Sequence, residues 1–126
     1  MKRVISTDAA PAAVGAYSQA TATDDLLFTA GQLPLTPEGE LLDDESVATQ
    51  TEQCLENVAA ILDSEGLDLG DVLKVTIFLD DIDDFDEMNE TYGSFFDDEH
   101  PPRSALEVGN VPKGAALEIE AVAAVE

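Results

Sequence analysis

Residues 101–108 and 115–122 alternate apolar and polar side chains with the period of two that strands show when one face is covered. Shorter stretches at 2–6, 15–20 and 26–33 also read as strands. Tyr17 and Gln19 would share one face of the second, and the third ends at Gly31, where a missing side chain permits close backbone approach. Residues 72–79 are apolar on both faces, the pattern of a central strand. From Ser46 the period changes: Val47, Thr51, Cys54, Leu55, Val58, Ile61 and Leu62 recur at steps of three and four. They predict an amphipathic helix of about five turns, capped by Asp44, Glu45 or Ser46 and stopped by Gly66 with Leu67. Asp83 or Asp84 would cap a second helix, with Ile82, Phe85, Met88, Tyr92, Phe95 and Phe96 as its core-facing stripe. Asn89 lies near that stripe, either as a surface amide or as a group pointing into a site.

The order is three strands, a helix, a strand, a helix and two strands. It predicts an α/β (α+β) fold with a mixed six-stranded sheet, two helices on one face, and a single domain over residues 1–126. The other face of the sheet has no cover within the chain. Lys74, Thr76 and Phe78 fall there in alternation, and Ala116, Val122 and Ala124 share a face with Glu118 and Glu120, so a partly apolar surface is expected to oligomerise.

The link between the last two stretches, residues 109–114, is made of turn residues, so those strands are expected to pair as an antiparallel hairpin. Arg103, Ala105 and Glu107 would then share one face, and Arg103 would stand within a rung or two of Glu118 or Glu120. The planar fork of an Arg donates two parallel hydrogen bonds to a carboxylate, and a Glu can orient or deprotonate water. On spacing alone two readings stay open: an anion clamp beside a water-handling carboxylate, or a structural cross-strand ion pair.

Charge sharpens the first reading. The chain holds 5 Lys and Arg against 28 Asp and Glu, a formal net charge of −23. An Arg placed within a strand behind two prolines is therefore not there for solubility. So negative a chain opposes binding to nucleic acid phosphates, which calls for a basic face. It also repels itself unless salt screens it, the pattern of a halophilic surface; at about 1 M salt the Debye length is roughly 3 Å. A hydrophobic fraction of 44% argues for a folded protein. The apolar run at the N-terminus stops at Ser6 and no run reaches membrane-spanning length, so a cytoplasmic, soluble protein without a membrane partner is expected.

Other chemistry is sparse. The single cysteine, Cys54, falls on the apolar helical stripe with no flanking base and reads as a small core hydrophobe. His100 is the one histidine, set in a proline-flanked loop where a Ser-His-Asp triad is not expected. The acidic run from Asp97 to Glu99 before it reads as a solvated helix end rather than a metal site. No phosphate loop, dinucleotide fingerprint or zinc-ligand pair is present.

Five stretches in order, Gly15-Ala16-Tyr17-Ser18-Gln19, Thr29-Ala30-Gly31-Gln32-Leu33-Pro34, Asn89-Glu90-Thr91-Tyr92, Pro102-Arg103-Ser104-Ala105 and Leu117-Glu118-Ile119-Glu120-Ala121, resemble the Rid family of reactive intermediate deaminases, also called YjgF. The resemblance spans nearly the whole chain. It implies a chorismate-mutase-like fold and a homotrimer whose sheets form an inner barrel, with sites between subunits. It also implies hydrolysis of 2-aminoacrylate, 2-iminopropanoate and 2-iminobutanoate type intermediates to 2-keto acids and ammonia, with no cofactor and no metal. Carried over by position, Arg103 would clamp the substrate carboxylate and Glu118 would hold the attacking water. Backbone N–H groups of Gly31 and Ala105 would touch substrate, while Tyr17 and Asn89 would line the cleft.

Three positions depart from the family pattern. Ala105 stands where many members carry cysteine, which removes thiol chemistry and leaves a backbone role. Ala30 replaces a common serine, and Ala16 a common proline. Arg103, which branches without deaminase activity tend to lose, is retained. The alternative function is a non-catalytic trimeric binder of 2-keto acids, or a chaperone-like protein of the same fold. An RNA-acting reading conflicts with the charge.

Overall fold

The strand that is apolar on both faces takes the inner position its pattern predicts. In a computed structural model of the chain, which describes residues 1–125, Val72–Leu79 (β4) lies between Leu117–Ala124 (β6), antiparallel to it, and Arg103–Glu107 (β5), parallel to it. Arg3–Ile5 (β1), Ala20–Ala22 (β2) and Leu26–Thr29 (β3) extend the sheet beyond β6, giving the order β1-β2-β3-β6-β4-β5. The helices are Val47–Asp63 (α1) and Phe85–Gly93 (α2). The element order and the mixed six-stranded sheet follow the sequence pattern.

One face of the sheet is core. Val75, Ile77 and Leu79 of β4 lie beside Leu117, Ile119 and Ala121 of β6, and all are buried. The stripe of α1, Cys54, Leu55, Val58, Ile61 and Leu62, is buried in the same cluster. Each fully buried Leu or Ile contributes about 1.5–3 kcal/mol by leaving water. The Ser46 hydroxyl accepts from the Thr49 N–H to start α1. At its end Gly66 has φ +74°, and the Leu67 N–H donates back to the Leu62 carbonyl at 3.0 Å, a Schellman stop.

The last two strands do not form the expected hairpin. Period-two alternation assigns faces but not neighbours, and β4 can bond a strand on each edge. The segment containing α2 returns the chain parallel to β4, so β5 takes the outer edge. Residues 109–114 then carry the chain past the end of β4 to its other edge. They do so through a 3-10 turn with Lys113 and Gly114 at φ 63° and 76°, and the Asp80 N–H is bonded to the Ala116 carbonyl.

Smaller corrections have local causes. Residues 15–19 form no strand, because the Gln19 side chain turns inward to bind other backbone while Tyr17 turns out; the strand begins at Ala20. The third strand ends at Thr29, with Gln32 making only an isolated bridge to Ile119. The cap before α2 comes from Asp81, whose carboxylate accepts from the Asp83 N–H, while Asp84 makes no side-chain cap bond. Ile82 is exposed, so the stripe of α2 starts at Phe85. Among the described residues no helix is long and apolar enough to cross a membrane.

Two buried amides fasten α1 to the chain around it. The Gln50 amide donates to the Glu45 carbonyl, and its Oε1 accepts from the Ala116 N–H at 2.9 Å. Asn57 donates to the Leu33 and Leu35 carbonyls at 3.2 and 2.8 Å and accepts from Gln53 at 2.8 Å. Asn57→Ala strands the Leu35 carbonyl and leaves that of Leu33 with the Leu35 N–H as its donor; it should lower unfolding free energy by about 1–3 kcal/mol, read by denaturant titration with an unchanged m-value.

Candidate active site

Arg103 stands at the start of the edge strand, level with Val75 of β4 and, across it, with Ala121 of β6; this is the helix-facing side of the sheet. Its guanidinium donates through Nη1 to Asn89 Oδ1 at 2.7 Å. It lies over the Tyr92 ring with Cζ 4.7 Å from the centroid, and 5.4 Å from that of Phe85. Each cation–π contact is worth about 0.5–2 kcal/mol. Among the described residues the guanidinium meets no carboxylate within salt-bridge distance; the ion pair found there joins Arg3 and Glu65. A neutral amide and two aromatic faces thus orient this cation without neutralising it. Burial raises the Tyr92 pKa, against the opposing pull of Arg103. Asn89, Tyr92, His100, Pro101 and Arg103 line a cavity of about 370 Å³.

Ala105 follows on the same strand. The Val75 N–H bonds the Pro102 carbonyl, and the Val108 N–H bonds the Leu79 carbonyl. In a parallel ladder that alternation turns the N–H of Ala105 away from β4, to the open edge of the sheet.

Glu118 lies elsewhere. It is level with Phe78 of β4, on the face opposite the helices. Two strand spacings and three residues of rise separate it from Arg103, about 14 Å between backbones, on opposite faces. The two residues that the hairpin reading brought together are not brought together within one chain. Gly31 is what Glu118 does touch: a Cβ there would sit 2.6 Å from Glu118 Cδ and 2.7 Å from Oε2. Only glycine lets this carboxylate settle against the backbone. The Gly31 N–H bonds nothing among the described residues, although both neighbours do, Ala30 to the Gln19 carbonyl and Gln32 to that of Ile119. Burial pushes the Glu118 carboxyl above its usual pKa, and the nearby charge of Glu120 adds to the rise.

Tyr17, 55% exposed, and Gly31 line one narrow cleft with Gln19, Gln32 and Leu33. Gln19 is a participant that the pattern misses. Its amide donates to the Thr7 and Pro11 carbonyls at 3.0 and 2.8 Å, and its Oε1 accepts from the Thr7 N–H at 2.7 Å. It clasps the loop over residues 7–11 beside Tyr17. The one signal for it was its place two residues after Tyr17. The candidate residues therefore fall in two separate groups: Arg103 with Asn89, Tyr92 and Ala105, and Glu118 with Gly31, beside whose cleft Tyr17 stands.

A protein-family model described as endoribonuclease L-PSP matches residues 7–125. The chain belongs to this family, the Rid (YjgF) family. It is 47% identical to a RutC family protein of Pyrococcus horikoshii, over 98% of both chains. It is 42% identical to the 2-iminobutanoate/2-iminopropanoate deaminase of Escherichia coli, again over 98% of each. The crystal structure of E. coli TdcF with bound serine superposes with a TM-score of 0.93 at 41% identity, covering 98% of this chain and 99% of that one. This Rid protein thus has its fold and its family from both sequence and shape.

Two outcomes follow from the grouping of Glu118 with Gly31. Gly31→Ala should leave the fold intact while forcing the Glu118 carboxylate away by about 1 Å or more, visible in a crystal structure of the variant. A carboxyl with a raised folded-state pKa adds stability that is present below its unfolded pKa and lost as pH rises through the folded value. Ionised Glu118 therefore destabilises the protein at neutral pH. Glu118→Gln should raise the melting temperature at pH 7 by roughly 1–3 °C, discounted for half exposure, and leave it unchanged near pH 4.

Proposed function

We infer that this protein hydrolyses 2-iminopropanoate, 2-iminobutanoate and their enamine tautomers to 2-keto acids and ammonia. The active form is a homotrimer, in which the Arg103 half-site of one chain meets the Glu118 half-site of the next. The reading rests above all on the Arg103 guanidinium. In a chain of 28 acidic residues it is oriented by Asn89 and aromatic rings and, among the described residues, meets no carboxylate partner. The guanidinium N–H groups that Asn89 does not engage can donate a pair of hydrogen bonds to a small substrate carboxylate. The deaminase name of the E. coli relative supports the same substrate class.

The chemistry asks little of the protein beyond placement. Arg103 fixes the carboxylate, and the Ala105 and Gly31 N–H groups are free to contact the substrate. Tyr17 and Asn89 line the cleft. Water held by Glu118 attacks C2 of the imine; a C–O bond forms and Glu118 takes the proton, which its raised pKa favours. Returning that proton to nitrogen makes ammonia the leaving group; the C–N bond then breaks as the new C2 hydroxyl gives its proton to Glu118 and becomes the keto carbonyl. Positioning supplies most of the acceleration, because the protonated imine is already electrophilic.

The first test is pyruvate release when the protein is added to a dehydratase acting on serine; no acceleration would refute the activity. The second tests the shared site. Arg103→Ala and Glu118→Gln should each lower hydrolysis by about 10²–10⁴-fold. Unfolded together and refolded as mixed trimers in high salt, they should recover activity, because some interfaces then join an intact Arg103 to an intact Glu118. No recovery in trimers shown to be mixed would place the site within one chain.

A further inference from the structure

β6 carries a second carboxylate that the proposed chemistry does not use. Glu120 lies two residues from Glu118 on the same face, about 7 Å away by strand rise, and level with Thr76 of β4. Both side chains are half-buried. Nothing cationic within the described residues neutralises either one. The single lysine on this face of β4, Lys74, is level with Val122 and directs its ammonium to Ser104 Oγ at 2.9 Å. Neither glutamate takes part in a salt bridge among the described residues.

The groups packed against Glu118 are otherwise uncharged. Phe78 of β4 stands level with it, and Gly31 closes on its carboxyl from the loop after β3. From α1 the buried Cys54 is near enough to feel its charge, but burial raises the thiol and keeps it neutral. In the assembly inferred above, Arg103 of an adjoining copy is the one cation brought toward it. Glu120 is thus the like charge that Glu118 meets within its own chain.

We propose that Glu120 is a positioning residue for the reaction, a fixed negative neighbour that keeps Glu118 basic enough to take the water's proton. This rests on the deaminase reading of the site. A negative charge two residues along the same strand face disfavours the ionised form of Glu118, so its proton is held more tightly than on an isolated carboxyl. Burial is the larger cause of the raised Glu118 pKa, and the Glu120 charge adds to it. A base held close to working pH accepts a proton more effectively than one far below it.

The measurement is the pH dependence of imine hydrolysis in intact trimers at high salt. Glu120→Gln should move the acid limb of the profile to lower pH by roughly half a unit to one unit. Glu120→Asp, which keeps the charge, should leave the limb close to that of the parent. The Glu118 carboxyl resonance in ¹³C-glutamate-labelled protein should show the same downward displacement, and this readout does not require turnover. An acid limb and a carboxyl titration both unmoved by Glu120→Gln would overturn the proposal. A lower plateau rate or a loosened trimer with an unmoved limb would overturn it equally, leaving Glu120 a structural residue. If the parent protein hydrolyses no imine, the functional reading fails, while the carboxyl titration still decides whether Glu120 sets the basicity of Glu118.

Discussion

β4 buries one whole face, Val75, Ile77 and Leu79, and both of its edges are bonded to neighbouring strands. Its inner position decides most of what surrounds it. With β6 on one side and β5 on the other, the two segments that carry Glu118 and Arg103 are kept apart by the width of a strand. Their side-chain alternation then sends Arg103 to the helix side and Glu118 to the other. A single chain can hold each group firmly and cannot bring them together.

The manner of holding also matters in a chain of net charge −23. An arginine in such a protein is easily neutralised. Here Asn89 gives the guanidinium a neutral acceptor, and Tyr92 and Phe85 give it ring faces, so its direction is fixed while its charge stays available. The same helix that fills the core with Met88 and Tyr92 thus presents the cation. Core packing and the orienting of Arg103 share one surface of α2.

What was legible in the sequence was local. The Ser46 cap, the Gly66 stop, the inner position of residues 72–79 and the order of elements each follow from signals within a few residues. Arg103 stood out by type, alternation left Glu118 and Glu120 equivalent, and the resemblance singled out Glu118 and gave roles to Tyr17, Gly31, Asn89 and Ala105. Partnership was not legible. Nothing in the alternation of residues 101–122 says that another strand lies between them, and a six-residue link serves a hairpin or a passage across a strand end equally well. Gln19 and Asn57 were opaque for a related reason: an amide near a strand or on a helix looks like surface until distant carbonyls arrive to bind it. Gly31 showed that backbone comes close there, but not that the neighbour is the Glu118 carboxylate.

Cys54 has a practical bearing of another kind. The side chain is wholly enclosed between α1 and the sheet, and burial raises its thiol further from the reactive thiolate form. With no second cysteine in the sequence, an alkylating reagent finds nothing to modify until the packing between helix and sheet comes apart. The rate at which such a reagent is consumed is then a clock for global opening, with a single hand and no background. The protein carries, in the middle of its core, its own gauge of how often that core is breached.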